Sequence, residues 1–170
     1  MTSDPKRGVL SRALKTMHPG TVFAALLAFA SCAAPPPPPP PTVANVKAIA
    51  APDVNGVAGV GAPIAIRVYQ LGAKAGFEGA EFFPLFSADA ATLKADLLKK
   101  EEFVLAPGAT KSLTLTPNDQ VKAIGVFAAY RDFQNTVWRA VADIPPNKTT
   151  NITITADGKG LKLVAAPAAP

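Results

Sequence analysis

The chain has 170 residues, with 17 Lys or Arg against 12 Asp or Glu, a formal charge of +5, one cysteine and one histidine. One cysteine excludes an internal disulfide framework, and one histidine excludes a His-rich metal site. No Lys/Arg run exceeds two residues, so the basic stripe of a nucleic-acid binder is absent.

The N-terminal segment carries Lys6, Arg7, Arg12 and Lys15 and then runs uncharged from Thr21 to Ala30, TVFAALLAFA. A membrane-spanning helix needs about 20 apolar residues. A basic start, a short apolar run and small residues at its end fit a signal peptide over residues 1–31. Cys32 follows Ala30-Ser31 directly. This arrangement resembles the lipobox of bacterial lipoproteins, with Phe29 where Leu is usual. The resemblance implies cleavage before Cys32 and lipidation of that residue. Ala33, rather than Asp, follows the cysteine, which by the same resemblance implies the outer membrane, on its periplasmic face. A buried thiol is the other reading of a lone cysteine, but seven prolines, Pro35–Pro41, stand almost next to it. Polyproline II rises about 3.1 Å per residue, so seven residues make a semi-rigid spacer of roughly 22 Å. Residues 32–42 are therefore expected to be anchor and spacer.

The leader holds four of the 17 basic residues, one of the 12 acids and the only histidine, His18. The remaining 139 residues then carry 13 basic and 11 acidic groups and no histidine. Ser-His-Asp and Cys-His catalysis and His or Cys metal sites are thereby excluded. Glu101-Glu102 are adjacent and point to different sides of any regular element, so they read as solvated charges. GVAGVGA, Gly56 to Ala62, lacks the lysine and the spacing of a phosphate cradle. The expectation is a non-enzyme without cofactor, metal, nucleic acid or small-molecule substrate.

Beyond the spacer, Val43–Ala51 is compatible with a strand and Asp53–Ala62, DVNGVAGVGA, reads as a Gly-rich loop. Ile64, Ile66 and Val68 alternate with Ala65, Arg67 and Tyr69, a strand with one buried face. Phe82, Phe83 and Phe86 around Pro84 suggest a turn or helix plugging one end of a core. Ala90–Lys100 has helical composition, with Leu93 and Leu97 at i, i+4. Strand, Pro-Gly turn and strand follow in FVLAPGATKSLTLTP, with Leu113 and Leu115 inward. KAIGVFAAYRD is apolar on both faces, as a central strand would be. TVWRAVADI, NITIT and GLKLV are further strands, the last two joined at Asp157-Gly158. Asn147 and Asn151 match a glycosylation pattern but read as strand-edge residues. The tail, 166–170, is expected to be disordered. About eight short strands with a small helical insertion make a two-sheet antiparallel β-sandwich over residues 43–165.

Four segments, APIAIRVYQL (62–71), FEGAEFFPLF (77–86), LAPGATKSLTL (105–115) and IGVFAAYRDFQNTVWRA (124–140), resemble in that order the TssJ family, also called SciN or VasD. These are outer-membrane lipoproteins of the type VI secretion system. The resemblance covers about Val43 to Val164. It implies a transthyretin-like sandwich and one partner, the periplasmic C-terminal domain of the inner-membrane protein TssM, which works with TssL. It also implies that the loop between the first two strands makes the contact. Here that loop supplies Asp53, Val54, Asn55, Gly56, Val57 and Val60, with the three valines exposed. The other reading is a connector whose valines pack on the sandwich. Ala106–Thr110 and Asp132–Asn135 would flank the loop. Arg67, Tyr69, Tyr130, Arg131, Asp132, Trp138 and Arg139 are expected to be mainly structural, with Arg131-Asp132 a strand-end ion pair. Other readings are a pilotin-like lipoprotein, a glycan binder using Trp138 as a platform, and a hydrolase pairing Asp132 with Asp143.

Overall fold

In the computed structural model, residues 36–57 and 59–169 are described. The leader, Cys32, the first proline of the spacer and Pro170 lie outside them.

Alternation of apolar side chains builds most of the strands. β1 (Val43–Ala50) buries Ala44, Val46, Ala48 and Ala50 and turns Asn45 and Lys47 to solvent. β2 (Ile64–Leu71) follows, then two helices, α1 (Ala75–Gly79) and α2 (Phe82–Leu93), and a 3-10 turn at Lys94–Asp96. β3 (Leu97–Leu105), β4 (Thr110–Leu115), β5 (Ala123–Ala128), β6 (Arg139–Asp143), β7 (Thr149–Asp157) and β8 (Gly160–Pro167) complete the domain. The strands form two four-stranded sheets, ordered β4-β1-β7-β8 and β3-β2-β5-β6. The expected sandwich of about eight strands with a helical insertion is therefore present.

One pairing departs from the expected antiparallel pattern. β1 runs parallel to β7 from Val43↔Thr149 to Ala50↔Ala156. Only strands joined by tight hairpins must be antiparallel, and 98 residues separate Ala50 from Thr149, so nothing local constrains this pair. The Pro107-Gly108 turn also makes no hairpin. It passes the chain from β3, at the edge of one sheet, to β4, at the edge of the other.

The two sheets enclose a first core. Ile64, Ile66 and Val68 of β2 and Ile124, Val126 and Ala128 of β5 meet Val46, Ile152, Ile154 and Leu161 there. The alternate residues of the same two strands, Tyr69, Leu71, Ala123 and Phe127, bury against Phe77, Phe82, Leu85 and Leu93 in a second core. The helices thus do not plug an end of the sandwich; they cover the outer face of one sheet. β2 is buried on both faces instead of one, because Tyr69 is fully buried and Arg67 is largely so. Gly125 leaves room for the helix layer, since a Cβ there would lie 3.1 Å from the Phe77 ring and 2.9 Å from the neighbouring Leu71.

Two further boundaries differ from the sequence-based ones. The helix ends at Leu93, where Lys94 adopts φ 51°. Leu97 and Leu98 belong to β3, one packing on each core, so two-sided burial overrides the helical spacing of Leu93 and Leu97. The tail is strand as far as Pro167, because Ala165, Ala166 and Pro167 pair with Ile152, Asn151 and Thr150.

Two arginines fasten the helices to the sheet. Arg67 Nη1 donates to the carbonyls of Leu85 (3.0 Å) and Phe86 (2.8 Å), just before α2 kinks at Ala88, while Nε donates to Glu102 (3.0 Å). Its guanidinium lies 5.8 and 5.7 Å from the Phe86 and Phe127 ring centres. Arg139 donates to the carbonyls of Phe77 and Ala80 at the end of α1. Helix C-termini carry unpaired carbonyls and partial negative charge, which a guanidinium satisfies. Asp89 completes the joint, accepting from Lys100 Nζ (2.8 Å) and the Tyr69 hydroxyl (3.1 Å). Burial alone would raise its carboxyl, but the bonds from Lys100 and Tyr69 outweigh that and hold it below the usual carboxylate range.

A depressed native value stabilises the fold above the unfolded one, about 3.9, and that contribution disappears as pH falls through the native value. Asp89→Asn is expected to cost about 2 kcal/mol at neutral pH. Urea titrations across pH should show the difference from wild type full above pH about 4 and shrinking below it.

Candidate partner-binding loops

All four β1–β2, β3–β4, β5–β6 and β7–β8 connections emerge at one end of the sandwich. The start of β1, where the spacer enters, is at the other. Eight residues of β1 separate the ends by about 26 Å.

The β1–β2 connection is a folded ribbon rather than a slack loop. Val54 N donates to Ala51 O (3.1 Å), and Ala62 N donates to Val54 O (2.9 Å). At the tip, Val57 and Val60 exchange reciprocal backbone hydrogen bonds of 3.1 Å. Two residues, Asn55 and Gly56, therefore face the single Gly61 across the ribbon, as in a β-bulge. Gly56 is required by closeness, since a Cβ there would lie 2.9 Å from Val60 O and 3.0 Å from Asp53 O.

Neighbouring connections pack against this ribbon. A Cβ on Gly61 would fall 2.0 Å from Pro52 O and 3.2 Å from Pro107 Cβ, and Ala50 N donates to Ala109 O (2.9 Å). Ala106–Thr110 thus flanks the loop as expected. Asp53 lies over the β7–β8 turn, its Oδ2 2.8 Å from where a Gly158 Cβ would be. Asn55 reaches the β5–β6 connection, its Oδ1 accepting from Arg131 N (2.8 Å).

The six residues singled out from sequence do not share one environment. Asp53 and Gly56 are exposed at the surface. Val57 and Val60 are 63% and 73% exposed. Val54 is the correction: it is fully buried in the core between the sheets, so it offers nothing to a partner. Asn55 is also buried, with both ends of its amide engaged. Sequence reading missed Val137, which is 57% exposed at the same end and bridges to Gly160. Gly160 allows that approach, because a Cβ there would lie 2.6 Å from Val137 N. The signal was available in the glycine that follows the Asp157-Gly158 turn.

The acid-pair and aromatic-platform readings find no geometry among the described residues. Asp132 accepts from the Asn135 side chain (2.8 Å) instead of pairing with Arg131. Asp143 lies at the opposite end of β6, 2.7 Å from Lys74 Nζ, so the two aspartates face no common cleft. Trp138 is no open platform: Phe82 and Phe127 meet its ring at centroid distances of 5.3 and 5.7 Å, and Arg139 covers it at 4.7 Å. Among the described residues, no group of three or more His, Cys, Asp or Glu could hold a metal ion, and no helix is long and apolar enough to cross a membrane.

Fold and loops together define a two-sheet β-sandwich with an apolar, pinned loop end. Residues 42–159 match the family model described as type VI secretion lipoprotein, VasD, EvfM, TssJ. The type VI secretion lipoprotein TssJ1 from Pseudomonas aeruginosa is 36% identical over 76% of this chain and 100% of its own, with a TM-score of 0.73. Serratia marcescens Lip, a membrane-bound component of the type VI secretion system, is 30% identical over 72% of this chain and 96% of its own (TM-score 0.66). A chain of the structure described as the type VI protein TssM C-terminal domain from EAEC is 26% identical over 71% of this chain and 98% of its own (TM-score 0.60). No curated protein sequence matches significantly. The chain belongs to the TssJ family of type VI secretion lipoproteins.

The two kinds of valine separate cleanly in a stability measurement. Val54→Asp buries a charge in the inter-sheet core and is expected to cost more than about 3 kcal/mol, whereas Val57→Asp stays within about 0.5 kcal/mol of wild type. Chemical denaturation followed by Trp138 fluorescence reads both.

Proposed function

We propose that this protein is a lipid-anchored adaptor, fixed to the periplasmic face of the outer membrane and tethering the periplasmic C-terminal domain of TssM. The observation that carries the reading is the pinned ribbon whose tip holds Val57 and Val60 in solvent, away from the end at which the spacer enters. Exposed apolar residues on a loop held by a rigid scaffold are what a protein-binding site requires. Family membership supplies the secretion system, and the similar chain in the structure described as the TssM C-terminal domain supports that partner.

The mechanism is attachment at two points without catalysis. Residues 1–31 direct export and are removed, and Cys32 carries acyl chains. One chain alone binds a membrane weakly, and several hold it stably. The prolines that follow space the domain from the lipid, and the loop end engages the partner.

Two experiments test the two points separately. In calorimetric titration of the domain from Pro38 onward with the periplasmic part of TssM, the double variant Val57→Asp, Val60→Asp should lose at least about 100-fold in affinity with its circular dichroism unchanged. Unchanged affinity would move the contact to another surface. In cells, Cys32→Ala should leave the outer-membrane fraction. If that variant still fractionates with outer membranes, lipid anchoring at Cys32 is wrong.

A further inference from the structure

We infer that Asn55 is the positioning residue of the recognition loop, holding the Val57–Val60 tip in its binding shape before a partner arrives. The inference rests on the adaptor reading above. It comes from three features of one side chain.

First, the unequal arms of the ribbon require an unusual backbone. Between the Val54–Ala62 rung and the Val57–Val60 rung, two residues must span the distance covered by one. Asn55 meets this at φ 52°, in the left-handed region that few residues other than Gly and Asn accept. Second, Asn55 is only 7% exposed, although it lies in a surface loop beside the exposed tip. Burying an amide is unfavourable unless its groups are bonded. Third, both ends of the amide are bonded, and to different segments. Nδ2 donates to the carbonyl of Pro63 (3.0 Å), the residue just before β2, and Oδ1 accepts from Arg131 N (2.8 Å) in the β5–β6 connection.

A single side chain therefore ties the ascending arm, the descending arm and a neighbouring connection. Among the described residues, no other side chain of the ribbon makes such bonds: Val54 only packs, Val57 and Val60 project outward, and Gly56, Gly59 and Gly61 carry none. Asn55 faces away from the tip and makes no surface of its own, so its contribution to recognition is the geometry it imposes. A loop that samples several shapes binds with an affinity reduced by the fraction of time it is competent. Substitutions divide the role into parts. Glycine keeps the backbone conformation and loses both bonds. Aspartate keeps an acceptor for Arg131 N but cannot donate to Pro63 O.

The test uses the full-length chain in detergent micelles, with amide hydrogen exchange of the free protein and titration with the periplasmic part of TssM. In Asn55→Gly, the Val57 and Val60 amides should exchange faster while those of Val126 and Ile152 in the core keep wild-type rates. The affinity should fall roughly tenfold, the loss expected when an ordered contact loop must be ordered on binding. Asn55→Asp should fall between glycine and wild type. Wild-type exchange at Val57 and Val60 in Asn55→Gly, or faster exchange with undiminished affinity, would overturn the inference. So would loss of core protection in both variants, since Asn55 would then hold the fold and not the loop. The Val57→Asp, Val60→Asp protein keeps the two failures apart. If it binds normally, the recognition reading falls and the exchange data still decide whether Asn55 orders the loop. If it does not bind while Asn55→Gly binds with wild-type affinity, only the positioning role falls.

Discussion

Strands β2 and β5 carry apolar side chains on both faces, and the rest of the domain is arranged around that constraint. One face is satisfied by the second sheet and the other by α1 and α2. The helices are poor structures by themselves: α1 has five residues, and α2 has twelve with a break at Ala88. Helices this short are marginal in water without tertiary contacts. Phe77, Phe82 and Leu85 supply the contact, and Arg67, Arg139 and Asp89 supply the polar joints that fix where the helices sit. This accounts for R-x-Y in β2 and W-R at β6. Arg67 and Arg139 satisfy helix-end carbonyls, Tyr69 holds Asp89, and Trp138 is wedged among Phe82, Phe127 and Arg139.

The same arrangement separates two tasks along the strand axis. The long connection that carries the helices leaves β2 at the end where β1 begins. The opposite end is left with four connections that pack on one another. Pro107 and Gly158 lie against the first loop, Asn55 reaches Arg131, and Val137 reaches Gly160. Each of these approaches is made by a glycine or a short side chain, because backbones must come close for connections to support each other. The loop end is thus a built surface whose shape is fixed by its own contacts.

Most strands were legible because one-sided burial writes itself as alternation, plainly in β4 and β7, whereas β1 read only as compatible with a strand. The apolar run of β5 gave its central place, and Asp157-Gly158 gave the β7–β8 hairpin. What was not legible depends on distant partners. The helical spacing of Leu93 and Leu97 is real, but Leu97 pairs with Leu71 across a register shift, and only that pairing makes it a strand residue. Pro107-Gly108 has the composition of a hairpin turn, and nothing in its five residues says that β4 finds β1 instead of β3. Within the first loop, Val54, Val57 and Val60 recur every three residues between glycines and look equivalent. They differ because Val54 pairs with Ala62 and turns inward, while the tip projects. The exposure of Val57 and Val60 was read from the sequence; the burial of Val54 was not.

The tip is too small to account for a stable contact alone. Burying one valine side chain contributes at most about 1.5 to 3 kcal/mol, so Val57 and Val60 together reach roughly 3 to 6. Association costs about 4 to 15 kcal/mol in lost freedom before any further ordering. Two consequences follow for an adaptor built this way. The contact must extend beyond the tip, and the apolar neighbours at the same end are Pro107 on one side and Val137 on the other. The loop must also arrive already ordered, because a cost of arranging a Gly-rich segment of this length would exceed what two valines return. The bonds at Val54, Asn55 and Val57–Val60 remove that cost in the free protein. A glycine-rich composition that in isolation suggests flexibility here serves close packing, and in the proposed adaptor rigidity at the loop end is what lets so small a tip matter.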